Sequence, residues 1–374
     1  FKREYEGRSS PVHQHEVLKA VTEIVFGYCD LHKIADGARD DFLRRLFAEW
    51  SKAKEAKDVL NIPVKISCLL VWTSQEKLDG RIEFECDPRQ IERLIAERGP
   101  GGSKPMATPG AKATFTELDD DSDELPGHLA AAFRGSAAGG NYLAADRLDA
   151  QFAGKEICRW MSRPSRRAWK SLGRLCRYLA GAPLLVYIYE QQEVNAVDVY
   201  TDTDWAGCPL TRKSTSGGCV MLGKHCMKHW SSTQTSTSLS SGEAEFAGVI
   251  RGAGHGLGHQ ALLKDVGVEL PLRVWTDSSA AIGICSRQGL GKLRHLDTHT
   301  PWIQQAVRTK RVDLRKVDGE CNPADIFTKH SISRQRLESV MTLYGCRYLD
   351  GRAELAPRVK QGSMAGPTIY TGQA

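Results

Sequence analysis

The chain has 374 residues, of which 41% are apolar. That is enough for two or three domains with their own cores and too much for wholesale disorder. Lys and Arg number 51 against 45 Asp and Glu, a net charge of +6. This mild basic excess permits a polyanionic partner without demanding one. The longest apolar run, Ala182–Tyr189, contains Pro183 and falls far short of the roughly 18 residues a membrane helix needs. The start, Phe1-Lys2-Arg3-Glu4, carries no apolar leader, so membrane-spanning and secreted proteins are set aside, and the missing Met reads as a piece of something longer. The 11 cysteines are odd in number and none is spaced C-x-x-C, which argues for small buried hydrophobes in a reducing compartment rather than disulfides or structural zinc.

Residues 1–97 mix helical and strand patterns: Phe42, Leu43, Leu46, Phe47 and Trp50 predict a helix over 40–56, and 64–72 and 80–86 read as strands. Residues 98–140, rich in Gly, Pro, Ala and acid, read as a linker. Its run ELDDDSDEL at 117–125 lacks the Gly and closing Glu of a calcium loop. Residues 141–190 predict two helices. The second carries an apolar stripe of Ala168, Trp169, Leu172, Leu175, Cys176 and Leu179, and Arg163–Arg177 holds six cations and no acid, a bias suited to phosphate contact.

From Ala196 the pattern sharpens. Strands are predicted at 196–202, 217–222 and 225–231, a long helix at 241–266, then a strand at 272–276 and a helix at 280–287. A helix at 301–308, a strand at 312–317 and a closing helix at 323–329 follow. The order β-β-β-α-β-α-α-β-α describes an α/β domain in which an antiparallel meander feeds a parallel crossover. The tail beyond 345 is expected to be disordered.

Four acids occupy unusual places in that domain: Asp202 and Asp277 at the ends of two strands, Glu245 one turn into the long helix, and Asp325 in the first turn of the last helix. Strand ends of an open sheet converge on one edge, and the first and fourth strands become neighbours if a crossover helix joins them. Converging carboxylates repel one another and need cations. Oxygen ligands without His or Cys favour Mg²⁺ or Mn²⁺, and a pair of such ions suits phosphodiester cleavage. Taken singly, each acid also reads as a cap, a turn former or a solvated helix residue. Asp204 and Glu243 are near-duplicates. Asp204 shares a strand face with Asp202, and Glu243 cannot face the same ion as Glu245.

The strings TDTDWAG (201–207), RKSTSGG (212–218), WSS (230–232), SSGEAEF (240–246), WTDSSAAI (275–282), LRHLD (293–297) and PADIFTK (323–329) resemble the ribonuclease H domain of copia-type retrotransposon polyproteins, in that family's order. The resemblance covers about 196–345. It implies a ribonuclease H-like α/β fold over 191–345: a mixed five-stranded sheet of antiparallel meander and parallel strands, flanked by helices. It implies that Asp202, Glu245, Asp277 and Asp325 are catalytic and hold two Mg²⁺ or Mn²⁺ ions. The activity implied is cleavage of the RNA strand of RNA–DNA hybrids, leaving 3′-hydroxyl and 5′-phosphate ends, in the cytoplasm or nucleus. The implied partners are the hybrid and the rest of the polyprotein.

Upstream, 146–164, 169–181, 86–95 and 107–112 resemble the family's reverse transcriptase more loosely, as an α+β palm and thumb remnant followed by a connection segment. In GYCDLHKIA (27–35), Asp30 matches the polymerase Tyr-x-Asp-Asp but Leu31 replaces the second Asp, so polymerisation is not expected. Weaker substrate contacts are expected at Lys213, Ser241, Ser278, Arg294 and His295; Ser241 also suits capping, and His295 also suits a plain surface histidine. Arg287, Lys292, Arg308, Lys310 and Arg311 would join them on phosphates. His255 and His259 lack the Glu of a zinc protease, because position 256 is Gly. Glycines at 252, 254, 256 and 258 each cost the long helix roughly 1 kcal/mol. With the lost polymerase Asp, they motivate a second reading, a catalytically inactive nucleic-acid-binding remnant. A third is a structural subunit for a separate polymerase chain.

Overall fold

The computed structural model describes residues 82–86, 88–98, 104–111, 124–190, 192–208, 211–265, 267–289, 299–330 and 332–349. The expected helix at 40–56, the strand at 64–72, Asp30 and Leu31, the acidic residues 117–123, Lys292, Arg294, His295 and the tail from 350 lie outside them.

The first half runs β1 (Ile82–Glu85), α1 (Pro88–Arg98), α2 (Gly127–Leu143), α3 (Gln151–Cys158), α4 (Arg166–Gly181) and β2 (Leu184–Tyr189). Helix α2 starts within the stretch expected to be a linker. Its composition is Ala- and Gly-rich, but Ala130, Phe133, Ala137 and Leu143 recur at helical spacing and are buried. In α4 the expected stripe is buried except Trp169, which is half-buried, and Ser165 caps the helix by accepting from the Ala168 amide at 3.2 Å.

The second half runs β3 (Val197–Asp204), β4 (Thr215–Leu222), β5 (His225–Thr233), α5 (Ser241–Asp265), β6 (Leu272–Thr276), α6 (Ser279–Ser286), α7 (His299–Arg308), β7 (Asp313–Lys316), α8 (Arg334–Leu343) and β8 (Cys346–Leu349). A five-stranded sheet has the order β5-β4-β3-β6-β7, antiparallel through β5-β4-β3 and parallel through β3-β6-β7. The described residues are thus a mixed α/β structure whose five-stranded mixed sheet is flanked by helices. A second antiparallel sheet places β2 between β1 and β8. All six residues of β2, LLVYIY, are buried, and cover on both faces explains its unbroken apolar run.

Two features of the C-terminal part depart from expectation. The closing helix is a 3₁₀ turn, Pro323–Phe327, which presses on β4 so closely that a Cβ at Gly217 would lie 2.6 Å from Phe327 Cβ. Beyond it, α8 and β8 were not foreseen, and β8 adds Cys346–Leu349 to a sheet past the expected boundary at 345. Helix α8 buries Leu337, Val340 and Met341 at helical spacing, with Tyr344 one turn on, a short periodic signal that the expected elements do not include.

A buried polar network joins the two halves. Arg147, fully buried, forks onto both oxygens of Asp149 at 2.9 and 2.6 Å and donates to the carbonyls of Pro183 and Ala182. Asp149 also accepts from Tyr178 at 2.6 Å and from Tyr348 of β8 at 3.2 Å. Burial alone would raise the Asp149 pKa, but Arg147 and these hydrogen bonds hold it below the usual carboxylate range.

Candidate metal centre

The ladder between parallel β3 and β6 ends with Tyr200 opposite Trp275, whose rings stack at 5.9 Å. Asp202 and Asp277 each lie two residues further, at one height and on one face. Asp277 is just past β6, whereas Asp202, expected at a strand end, is still inside β3 and pairs with Gly217 of β4. Glu245 arrives from α5. Ser240 Oγ accepts from the Glu243 amide at 3.2 Å, while Glu243 Oε2 accepts from the Leu239 amide at 3.0 Å, a reciprocal cap that fixes the helix start. Glu243 is thereby committed to capping. The α5 start also meets α6 closely, since a Cβ at Gly242 would lie 2.9 Å from Ala280 Cβ.

The result is a group of three carboxylates, Asp202, Glu245 and Asp277, with one oxygen from each within 4.8 Å of the others. Asp202 is only 5% exposed. Burial, with help from Asp325 and Asp277, raises its pKa to about 6, although Thr328 Oγ1 donates to its Oδ2. Burial and then the repulsion of Asp202 and Asp277 push Glu245 up to about 9. Glu245 Oε2 is buried without a hydrogen-bond partner. Acids crowded, desolvated and partly unsatisfied in this way are a donor set that a hard divalent cation fits.

Asp325 lies outside that group of three. Its Oδ1 meets Lys329 Nζ at 2.6 Å, and Arg336 stands 3.9 Å from Oδ2. Burial still raises the Asp325 pKa. Burial disfavours the Lys329 ammonium, but Asp325, Asp202 and Asp277 together hold its pKa above the ordinary value. The turn bearing Asp325 is fixed by Asn322, which caps it through the Ala324 amide at 3.1 Å and donates to the Thr201 carbonyl at 3.0 Å. Lys329 and Thr328 were not singled out from sequence. The (i, i+4) spacing from Asp325 to Lys329 was the available signal.

The other expected contacts are dispersed. Ser278 is the N-cap of α6, accepting from the Ala281 amide at 3.2 Å. Ser241 is exposed at the start of α5, and Lys213 is half-buried in the β3–β4 turn. Asp204 folds its carboxylate over Gly207, against which a Cβ would clash. His255 packs against Trp230 at 4.5 Å, and His259 Nδ1 bonds the His255 carbonyl at 2.8 Å, so neither histidine joins the acids. The described cysteines are all free. Among the described residues no helix is long and apolar enough to cross a membrane.

No protein-family profile matches the chain, and no solved structure matches it. It is similar to the retrovirus-related Pol polyprotein from transposon RE2 of Arabidopsis thaliana, 28% identical over 239 residues, covering 63% of this chain and 16% of that protein. An uncharacterized mitochondrial protein of Arabidopsis thaliana is 30% identical over 169 residues, 44% of this chain and 66% of that protein. The retrovirus-related Pol polyprotein from transposon TNT 1-94 of Nicotiana tabacum is 24% identical over 323 residues, 83% of this chain and 23% of that protein. The chain therefore spans less than a quarter of these two transposon polyproteins. What the comparisons establish is a distant similarity to copia-type retrotransposon Pol polyproteins.

Proposed function

We propose that the chain is a ribonuclease H-type endonuclease, folded as a ribonuclease H-like domain over about 191–345 behind a reverse transcriptase-like remnant, and that it hydrolyses the RNA strand of RNA–DNA hybrids. The observation that carries this reading is the meeting of Asp202, in the last part of β3, Asp277, just past β6, and Glu245, near the start of α5. Asp202, Glu245 and Asp277 would hold Mg²⁺ or Mn²⁺, with Asp325 reaching the second ion once Lys329 is displaced. Bound there, two such ions supply the Lewis acidity that activates a water and steadies the leaving oxygen of a phosphodiester. The protein's own groups do the rest. Thr328 orients Asp202, Asn322 ties the Asp325 turn to β3, and the α5 cap holds Glu245 at the sheet edge. Cations at Lys213, Arg287, Arg308, Lys310 and Arg311 would give salt-dependent affinity without sequence choice, and preference for RNA would come from contacts to its 2′-hydroxyls.

The test is the full chain with Mg²⁺ and a hybrid labelled on its RNA strand, beside Asp277→Asn. RNA-strand cleavage by the parent and its loss in the variant is the expected result. Equal cleavage by both, or none by the parent, would overturn the assignment.

A further inference from the structure

Trp205 and Leu239 are large apolar side chains left 46% and 74% exposed on the loops next to β3 and α5, which carry Asp202 and Glu245, and the mechanism above uses neither. Trp205 directly follows β3, three residues after Asp202. Leu239 immediately precedes the Ser240 cap of the helix that carries Glu245. The two are neighbours in space, because Trp205 Nε1 donates to the carbonyl of Ser238 at 3.1 Å.

Both are held rigidly. Ala206, at φ 51°, takes the left-handed conformation that non-glycine residues rarely adopt, and its amide donates to Ser214 Oγ at 3.0 Å. Opposite it, Gln234 donates to Ser216 Oγ and to the Ala244 carbonyl, both at 2.9 Å, and accepts from Ser238 Oγ at 3.0 Å. These bonds lock the β5–α5 loop against β4 and α5. An exposed Trp fixed on a rigid frame and an exposed Leu beside it form a preset contact surface rather than a stray hydrophobe.

Apart from Asp204 and Glu243 at its two ends and the acidic group itself, which cations would neutralise, the segment that carries both residues is free of negative charge. No Asp or Glu occurs anywhere from Trp205 to Gly242, whereas Arg212 and Lys213 stand in the turn that carries Trp205. Exposed Thr235, Ser236, Thr237, Ser240 and Ser241 flank Leu239 along the chain and add neutral hydroxyls to this surface. An apolar face next to hydroxyls and cations can pack on the sugars of a nucleic-acid strand while the cations meet its phosphates. We propose that Trp205 and Leu239 form an apolar shelf that packs on the sugars of the strand entering the acidic group, while Arg212 and Lys213 meet its phosphates. This rests on the reading of the chain as a nucleic-acid enzyme and adds the residues that seat the strand.

The experiment measures binding of a fluorescent RNA–DNA hybrid to the full chain in EDTA, where cleavage cannot intervene, at several salt concentrations. Trp205→Ala and Leu239→Ser should each weaken binding about tenfold with the salt slope unchanged, since neither removes a phosphate contact. Trp205→Phe, which keeps a ring but loses the indole donor, should bind close to the parent. Arg212→Ala should lower the slope itself. Melting temperatures of the Leu239→Ser protein should match the parent, because that side chain is exposed. Unchanged affinity in both apolar variants overturns the proposal. So does a change of oligomeric state in place of hybrid affinity, which would make the shelf a contact between copies of this chain. Hybrid bound through the shelf but left uncut in Mg²⁺ would retire the nuclease reading alone; cutting with unchanged KM in both variants would retire the shelf alone. Failure of the parent to bind any hybrid overturns both.

Discussion

Gly252 of α5 lies against Thr201 of β3 so closely that a Cβ there would sit 2.4 Å from Thr201 Cγ2. The same holds one turn away on either side: a Cβ at Gly248 would lie 2.6 Å from Thr203 Oγ1, and one at Gly256 would lie 2.4 Å from Leu272 Cδ1. These three glycines form a seam that lets the helix settle onto the sheet and carries Glu245 to the end of β3. The glycine-laden helix, which by sequence suggested a decayed protein, has a packing reason at 248, 252 and 256. Gly254 and Gly258 meet nothing within 4 Å.

Substitution should therefore divide by position. Gly254→Ala or Gly258→Ala should stabilise the protein by about 1 kcal/mol, the ordinary helix preference of Ala over Gly. Gly252→Ala or Gly256→Ala should destabilise it by about 1–3 kcal/mol through overpacking and weaken metal binding by shifting Glu245. Urea unfolding of the four variants checks the signs. Destabilisation by all four would mean that the seam is not what distinguishes them.

Lys329 is an ammonium beside an acidic group and competes with any added cation. Lys329→Met should tighten Mg²⁺ binding by up to about fivefold, the scale of a half-exposed ion pair, measured by titration calorimetry. Weaker binding in the variant would make Lys329 a supporting residue rather than a competitor.

Stability should respond to pH from both sides. Burial lowers the pKa of His225 and His255 to about 4, from 6.5. The unfolded chain then takes up protons that the folded chain refuses, so stability is lost as pH falls from about 6.5 toward 4. Asp202 and Glu245, raised to about 6 and about 9, act in the opposite sense, because the folded form holds protons that the unfolded form releases. In EDTA the two sets therefore oppose one another between about 4 and 6.5, and above about 6.5 Glu245 alone makes stability fall as pH rises toward about 9, a limb that millimolar Mg²⁺ should restore. Denaturant melts across this range, with and without the ion, decide it.

The network of Arg147, Asp149, Tyr178 and Tyr348 predicts where the chain can be cut. Asp149→Ala leaves a buried guanidinium unpaired and should cost about 3–5 kcal/mol. A chain ending at Gly345 loses β8 and Tyr348 and should be cleaved readily by added protease, whereas one ending at Asp350 should resist like the parent. Equal resistance would show that β8 contributes little.

By itself the sequence determined the elements whose signal is local. The strand at Leu272–Thr276 falls where expected, the meander and the long helix of 241–265 lie within two residues of expectation, and Asp277 follows its strand directly, although Asp202 lies two residues inside β3 rather than at its end. Only the tertiary structure decided what depends on partners distant in sequence. Helix α2 lay hidden in linker-like composition. Although Leu337, Val340 and Met341 recur at helical spacing, α8 and β8 are too short for local pattern to fix, and β8 forms only by pairing with β2. The seam glycines look like faults until β3 lies against them. Asp325 appeared equivalent to the other three acids, yet only folding shows it paired with Lys329 while Asp202, Glu245 and Asp277 share one pocket. Periodicity and capping are written within a turn or a strand, whereas close approach and charge neutralisation exist only between elements that the chain brings together from far apart.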